Sequence, residues 1–334
     1  MSSQSMIKSE EVNGMLAAMY APIAEALAES ERVFEEELGS QFPFVQQLVD
    51  HCADYRGKRL RPALVLLTGR ALGGLNSSHP VLAAVVEMIH TATLVHDDIL
   101  DEAVVRRHAA TVNAEWGNEP AVLLGDYLFT HAFHLAASLE STLACRWIGR
   151  ATNLVCEGEL QQVHHRGNLE LDERDYYSII QGKTAELTAV SCRLGAHYAG
   201  ASEALVEAME TYGRDLGIAF QIADDVLDLW GEERSTGKSL GTDLKKQKLT
   251  LPVIRFLATA SPATASAVRA ILSEPEPDRQ SLRQYLDSSD ALEYSWKCAK
   301  EHAERARLAL DGLAESEAKA VLRSLTHYVV RRNA

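Results

Sequence analysis

The stretch VLAAVVEMIHTATLVHDDILD, residues 81–101, decides the fold. Val81, Val85, Met88 and Ala92 recur at spacings of four, three and four, the repeat of one face of an α-helix. That apolar stripe runs into His96-Asp97-Asp98-Ile99-Leu100-Asp101, so a buried helix is expected to end in carboxylates. The pattern returns downstream: Tyr212, Leu216, Phe220 and Ala223 form a second stripe, followed by Asp224-Asp225-Val226-Leu227-Asp228. Between these stretches the good helix formers Ala, Leu, Glu and Arg dominate, and breakers cluster at only a few places. The expected fold class is all-α, with roughly ten to thirteen helical segments in a single domain over residues 1–334. A split near Gly167 is the alternative, although composition does not shift there.

Composition removes several functions. The 334 residues are 46% hydrophobic, enough for a sizeable core. Glycine and proline are too few for a turn-rich all-β protein or a disordered chain. A net charge of −14 argues against a nucleic-acid partner, which demands a broad basic surface. Met1 to Asn13 is polar, with Glu10 and Glu11 where a signal peptide carries basic residues. No stretch is expected to reach the ~20 apolar residues of a membrane span. Five cysteines without a CxxC pair fit reduced thiols and a cytoplasmic location.

Asp97 and Asp101 lie four apart, so on a helix both carboxylates project from one face, with Asp98 beside them. Such crowding repels and calls for a cation. One acidic triplet is usually a solvated face, but two copies with the same spacing, 127 residues apart, point to a site. Oxygen-only clusters suit hard cations, and Mg²⁺ characteristically joins carboxylates to substrate phosphates. Against the acidic background stand two basic islands. Arg56-Gly57-Lys58-Arg59-Leu60-Arg61-Pro62 places four cations before a proline suited to the first position of a helix, whose N-terminal end favours anions. Lys245-Lys246-Gln247-Lys248, with Lys238 upstream, forms the second, and Arg106-Arg107 can clamp phosphate oxygens. Neither GxxxxGK[ST] nor GxGxxG is present, so the pattern suggests diphosphate chemistry without a nucleotide.

The ordered set of GKRLRP, two DDxxD motifs, the arginine pair, GKTAEL and FQIADDVLD, from Gly57 to Pro252, resembles the trans-isoprenyl (polyprenyl) diphosphate synthase family. The resemblance implies a helical bundle around a deep apolar cavity, usually dimeric and Mg²⁺-dependent, which joins an allylic diphosphate to isopentenyl diphosphate head to tail. By position, Asp97, Asp98, Asp101, Asp224, Asp225 and Asp228 are similar to the metal-binding aspartates. Lys58, Arg61, His90 and Arg107 resemble the isopentenyl diphosphate site. Arg106, Lys183, Thr184, Gln221, Lys238 and Lys248 resemble the allylic diphosphate contacts. Two departures stand out: Gln247 precedes Lys248 where many members have glycine, and His108 follows the arginine pair where glycine is common. In the family, residues four and five before the first aspartate limit chain length. Here they are the small Thr93 and Ala92, which implies a long product, with Phe129 or Phe133 as the next obstruction. A short-chain synthase is the alternative. A class I terpene cyclase, a non-catalytic subunit on the same fold and a Ca²⁺-binding helical scaffold leave the second DDxxD or the basic islands unexplained.

The remaining chemistry-bearing residues read as structure. His131 and His134, three apart, lack a carboxylate or cysteine partner. His164 and His165 are expected to point apart, Cys145, Cys156 and Cys192 to fill core space, and Arg331-Arg332 to sit at a helix end.

If the acidic clusters serve a metal, Asp97→Ala or Asp224→Ala removes most turnover while leaving the fold intact. Melting temperature without Mg²⁺ is expected to hold or rise; near-normal activity in either variant overturns the assignment.

Overall fold

The computed structural model describes residues 18–52, 57–107, 109–231 and 240–331. Among them are sixteen α-helices, more than the ten to thirteen expected, because short helices occupy stretches the sequence reading left as loops. The first half contains α1 (Ala24–Leu38), α2 (Pro43–Cys52), α3 (Leu60–Ala71), α4 (Ser78–Leu100), α5 (Val112–Trp116), α6 (Asn118–Ala137) and α7 (Leu143–His164). The second contains α8 (Glu173–Ile180), α9 (Glu186–Tyr198), α10 (Glu203–Trp230), α11 (Thr242–Lys245), α12 (Leu251–Thr259), α13 (Pro262–Leu272), α14 (Arg279–Leu286), α15 (Ala291–Ala309) and α16 (Glu317–Arg331). A hairpin of β1 (Val105–Arg106) and β2 (Ala109–Ala110), antiparallel with Arg106 opposite Ala109, follows the first acidic motif. A single π-helical turn, Gln181–Ala185, joins α8 to α9.

Local chemistry sets the boundaries. Asp172 accepts the Asp175 amide at 2.8 Å, Asp278 the Ser281 amide at 2.7 Å and Ser261 the Thr264 amide at 3.3 Å, each satisfying an orphan donor at a helix start. Helix α3 starts at Leu60, so Pro62 is its third residue and not its first. Proline is tolerated there because the amides of the first turn have no intrahelical acceptor. The residue before α3, Arg59, adopts φ +47°, a left-handed turn that reverses the chain into the helix.

Both expected apolar stripes are buried. Val85, Met88 and Ala92 of α4, and Tyr212, Leu216 and Ala223 of α10, have almost no exposed surface, while Val81 and Phe220 pack at the margin. The core has two parts. One gathers α1 to α7, α9 and α16 around residues such as Leu66, Val85, Ile148 and Leu194. The other gathers α8 and α12 to α15 around Leu251, Phe256, Val268 and Leu282. Helix α10, 28 residues and thus about 42 Å long, runs through both: Tyr212 and Leu216 belong to the first, Ile222 and Leu229 to the second.

Helix α4 corrects one expectation. Its 23 residues are long and apolar enough to cross a membrane by length and composition. In the fold, 61% of the relevant window is buried, and it carries His79, Glu87 and Asp98 within the bundle, so the core accounts for its apolarity. The five cysteines are all free, and Cys156 is exposed on α7, not in the core as expected.

The π-helical turn is seated by two glycines. A Cβ on Gly158 of α7 would stand 2.5 Å from the Lys183 amide nitrogen, and one on Gly182 would stand 2.7 Å from the Leu154 carbonyl oxygen. Backbone meets backbone here, and neither side has a flexible tip that could yield. Gly158→Ala is therefore expected to cost about 1–3 kcal/mol and to slow turnover by displacing Lys183. Urea unfolding checks it; an unchanged midpoint contradicts the close approach.

Candidate active site

The end of α4 presents Asp97, Asp98 and Asp101 in three different environments. Asp97 has the Lys183 ammonium 3.5 Å from Oδ2, and Lys183 also contacts Glu159 of α7. Burial, with Glu159 and Asp101 nearby, raises the Asp97 pKa against the pull of Lys183 and Lys248. Asp98 turns inward, its side chain 1% exposed. There Arg106 grips it through Nε, 2.9 Å from both carboxylate oxygens, and through Nη2 at 2.7 Å. Asp101 receives Lys246 at 2.6 Å, with Lys248 and Arg166 both at 3.3 Å. Burial works against that charge, yet Lys248 and Lys246 outweigh it and hold the carboxyl below its usual range.

The second motif lies on α10. Asp225 is buried and accepts the Tyr176 hydroxyl at 2.6 Å and Gln221 Nε2 at 2.7 Å. Burial first, then Asp243, raises its pKa well above the ordinary value, with Asp224 adding to the push and the two donors opposing it. Gln221 in turn accepts the Thr184 hydroxyl at 2.9 Å. Asp228 accepts the Thr242 amide and hydroxyl at 3.2 and 3.0 Å and the Asp243 amide at 3.2 Å, which anchors the start of α11. Asp224 is half-buried beside them.

Lys183, Thr184, Gln221, Asp225 and Lys248 line one cleft of about 130 Å³, together with Tyr176, His165 and Asp243. Because Lys183 also reaches Asp97 and Lys248 also reaches Asp101, both acidic motifs address this cleft. A larger open groove of about 940 Å³ lies along α15 around Trp296 and Lys300, but none of the six aspartates lines it.

The other basic island builds a second charged face. Arg61, Arg106 and Arg107 all bear on His90; burial and these three cations hold the imidazole well below its ordinary pKa, so it is neutral at pH 7. Burial also lowers Arg61 to about 10, with Glu87 supporting its charge and Arg107 opposing it. Lys58 donates to the Tyr328 hydroxyl at 2.9 Å. Lys238, Arg56 and His108 lie outside the described residues, as does Arg332; Arg331 is exposed at the end of α16.

Several partners were not singled out in the sequence. Glu87 lies three residues before His90, a helical spacing that signals a shared face. Glu159, Arg166, Tyr176 and Tyr328 are distant in sequence from the groups they touch, and no spacing rule reaches them. The two expected chain-length positions differ: Ala92 is fully buried, whereas Thr93 keeps some exposed surface and donates back to the His90 carbonyl at 2.7 Å. Gln247 adopts φ +53°, the left-handed conformation that the missing glycine would have supplied, and its carbonyl accepts the Gly167 amide at 2.9 Å. Contrary to the expectation that it lacks a carboxylate partner, His131 bonds Glu37 of α1 at 3.0 Å, while His134 is exposed. His164 and His165 meet edge to face at 5.1 Å instead of pointing apart, because His165 already leaves the helix.

Residues 42–288 match the polyprenyl synthetase family. Octaprenyl diphosphate synthase from Haemophilus influenzae is 39% identical over 300 residues, 89% of this chain and 91% of that protein. Among solved structures, decaprenyl diphosphate synthase from Rhodobacter capsulatus superposes with a TM-score of 0.89 at 35% identity, covering 95% of this chain and 99% of the other. Polyprenyl synthase from Caulobacter crescentus, complexed with calcium and isoprenyl diphosphate, gives 0.89 at 34%, covering 96% and 98%.

The Asp98–Arg106 pair yields a stability test. Removing the guanidinium leaves a carboxylate buried with its main counter-charge gone, which costs about 3 kcal/mol. Arg106→Ala is expected to lower the denaturation midpoint accordingly, and adding Asp98→Asn to recover part of it. A loss below about 1 kcal/mol, the level of an exposed pair, contradicts the arrangement.

Proposed function

Because the chain belongs to the polyprenyl synthetase family, we propose that it condenses isopentenyl diphosphate head to tail with an allylic diphosphate to build a long all-trans polyprenyl diphosphate. The observation that carries the reading is a cleft lined by Asp225 of the second DDxxD motif and by Lys183 and Lys248, which pair with Asp97 and Asp101 of the first. The donor set suits Mg²⁺: it is all oxygen, crowded and partly protected from water, the setting in which carboxylates need a hard cation. Asp97, Asp98 and Asp101 at the end of α4, with Asp224, Asp225 and Asp228 on α10, would hold it. Bound there, Mg²⁺ supplies charge neutralisation for the departing pyrophosphate.

The chain's own residues perform the rest. Lys183, Lys248 and Arg106, with Lys238, draw the allylic diphosphate into place and stabilise the charge it develops on leaving. Lys58, Arg61 and Arg107 hold the isopentenyl diphosphate, and neutral His90 adds a hydrogen bond without further charge. The oxygens of Thr184 and Gln221 face the allylic carbon as it becomes cationic, and apolar walls exclude competing water. The condensed carbon skeleton then loses its proton to pyrophosphate. The protein is proposed to work as a single-domain homodimer in the cytoplasm. Helix α10 spans both cores, and α6 leaves Val122 and Leu123 exposed, Leu123 by 67%, for a second copy to cover.

Labelled isopentenyl diphosphate, an allylic primer and Mg²⁺, followed by product sizing, test the reading. The expected product has roughly six or more isoprene units, each added unit gaining apolar burial along the channel. Thr93→Tyr is expected to shorten it, whereas Ala92→Tyr also lowers the melting temperature because its site is already filled. No consumption of isopentenyl diphosphate refutes the activity; a wild-type product of three or four units refutes the chain length alone.

A further inference from the structure

Tyr176 sits at the centre of α8, 2% exposed, and its hydroxyl donates to Asp225 Oδ2 at 2.6 Å. The other carboxylate oxygen takes Gln221 Nε2 at 2.7 Å, and Gln221 Oε1 takes the Thr184 hydroxyl at 2.9 Å. The result is a continuous rod, Tyr176–Asp225–Gln221–Thr184, that ties α8, α10 and the π-helical turn together. Every link has one direction. Tyrosine and amide donate, the carboxylate accepts from both, and the amide oxygen is left at the far end.

That direction matters because an amide has two faces of similar shape and opposite polarity. With Asp225 held as an acceptor, the Gln221 NH₂ must turn toward it, and Oε1 must turn toward Thr184 and the cleft. Tyr176 is the second donor that holds this carboxylate. Without the hydroxyl, Asp225 Oδ2 loses the Tyr176 donor and the carboxyl is free to rotate. The amide can then flip and present N–H groups to the cleft.

We propose that Tyr176 is a positioning residue for the prenyl transfer, fixing through Asp225 the polarity of the Gln221 amide that faces the reacting allylic carbon. The inference rests on the reaction proposed above. An oxygen at that place is attracted more strongly as positive charge develops than in the ground state, so its orientation acts on the ionisation step and not on substrate binding. Tyr177, the next residue, packs toward His302 and lacks this role, which separates Tyr176 from the general apolar packing of α8.

Tyr176→Phe keeps the ring and removes only the donor. The full chain with Mg²⁺ is expected to lose roughly tenfold or more in kcat while KM for either diphosphate stays within about twofold. Two uncharged or charged mimics sharpen the test. A diphosphate bearing an ammonium at the cationic carbon is expected to bind Tyr176→Phe more weakly by a similar factor, and an unreactive thio-linked allylic diphosphate to bind as before. In Gln221→Ala the tyrosine has nothing left to orient, so adding Tyr176→Phe costs no further rate. Unchanged kcat, equal losses for both mimics, or additive losses in the double variant overturn the inference. A wild-type chain that consumes no isopentenyl diphosphate overturns the proposed reaction itself, and with it this step.

Discussion

The structure turns on confining carboxylates that repel one another. Two helices carry six aspartates in two motifs, one of which, Asp225, lines the cleft, and Glu159 and Asp243 add two more acids. Left alone, such a cluster would push the helix ends apart or take up protons. The fold answers with cations brought from remote parts of the chain. Lys183 arrives on the π-helical turn, Arg106 on the hairpin, Arg166 after α7, and Lys246 and Lys248 after α11. Each of these lies outside the regular α-helices.

The basic face beside it poses the same problem with the opposite sign. Three arginines crowd His90, and burial lowers both Arg61 and Arg107. One buried acid, Glu87, offsets them from beneath, so the face keeps a net positive charge. Both sites are incomplete as electrostatic objects, one short of cations and the other short of anions. In the proposed reaction a divalent cation with its diphosphate would supply what each lacks, so the two faces make chemical sense together.

Much of this was legible in the sequence wherever a helix repeat carried it. Spacing placed Asp97 and Asp101 on one face, and the stripes at Val85 and Leu216 were correctly buried. The π-helical turn at Lys183 was not legible, since it depends on Gly158 meeting Gly182 across a tertiary contact. Tyr176 and Glu159 were invisible for the same reason: they meet their partners through the packing of separate helices. The cation-rich loop was read as a departure at Gln247, and the structure explains how it is tolerated. A left-handed residue costs about 1–2 kcal/mol without glycine, and the bond from Gly167 helps to offset it.

Helix α4 shows how strongly the site constrains the core. It must end in three acids, so the rest of its length has to be anchored firmly enough to hold them there. Nearly continuous burial does this, to the point that the helix matches a membrane span in length and apolarity. The same burial explains why Ala92 is small: the position is filled by neighbouring helices, and only Thr93, one residue on, retains exposed surface. Small size at these two positions therefore has two physical origins. Close helix packing sets the first; under the proposed reaction, room for a growing apolar chain would account for the second.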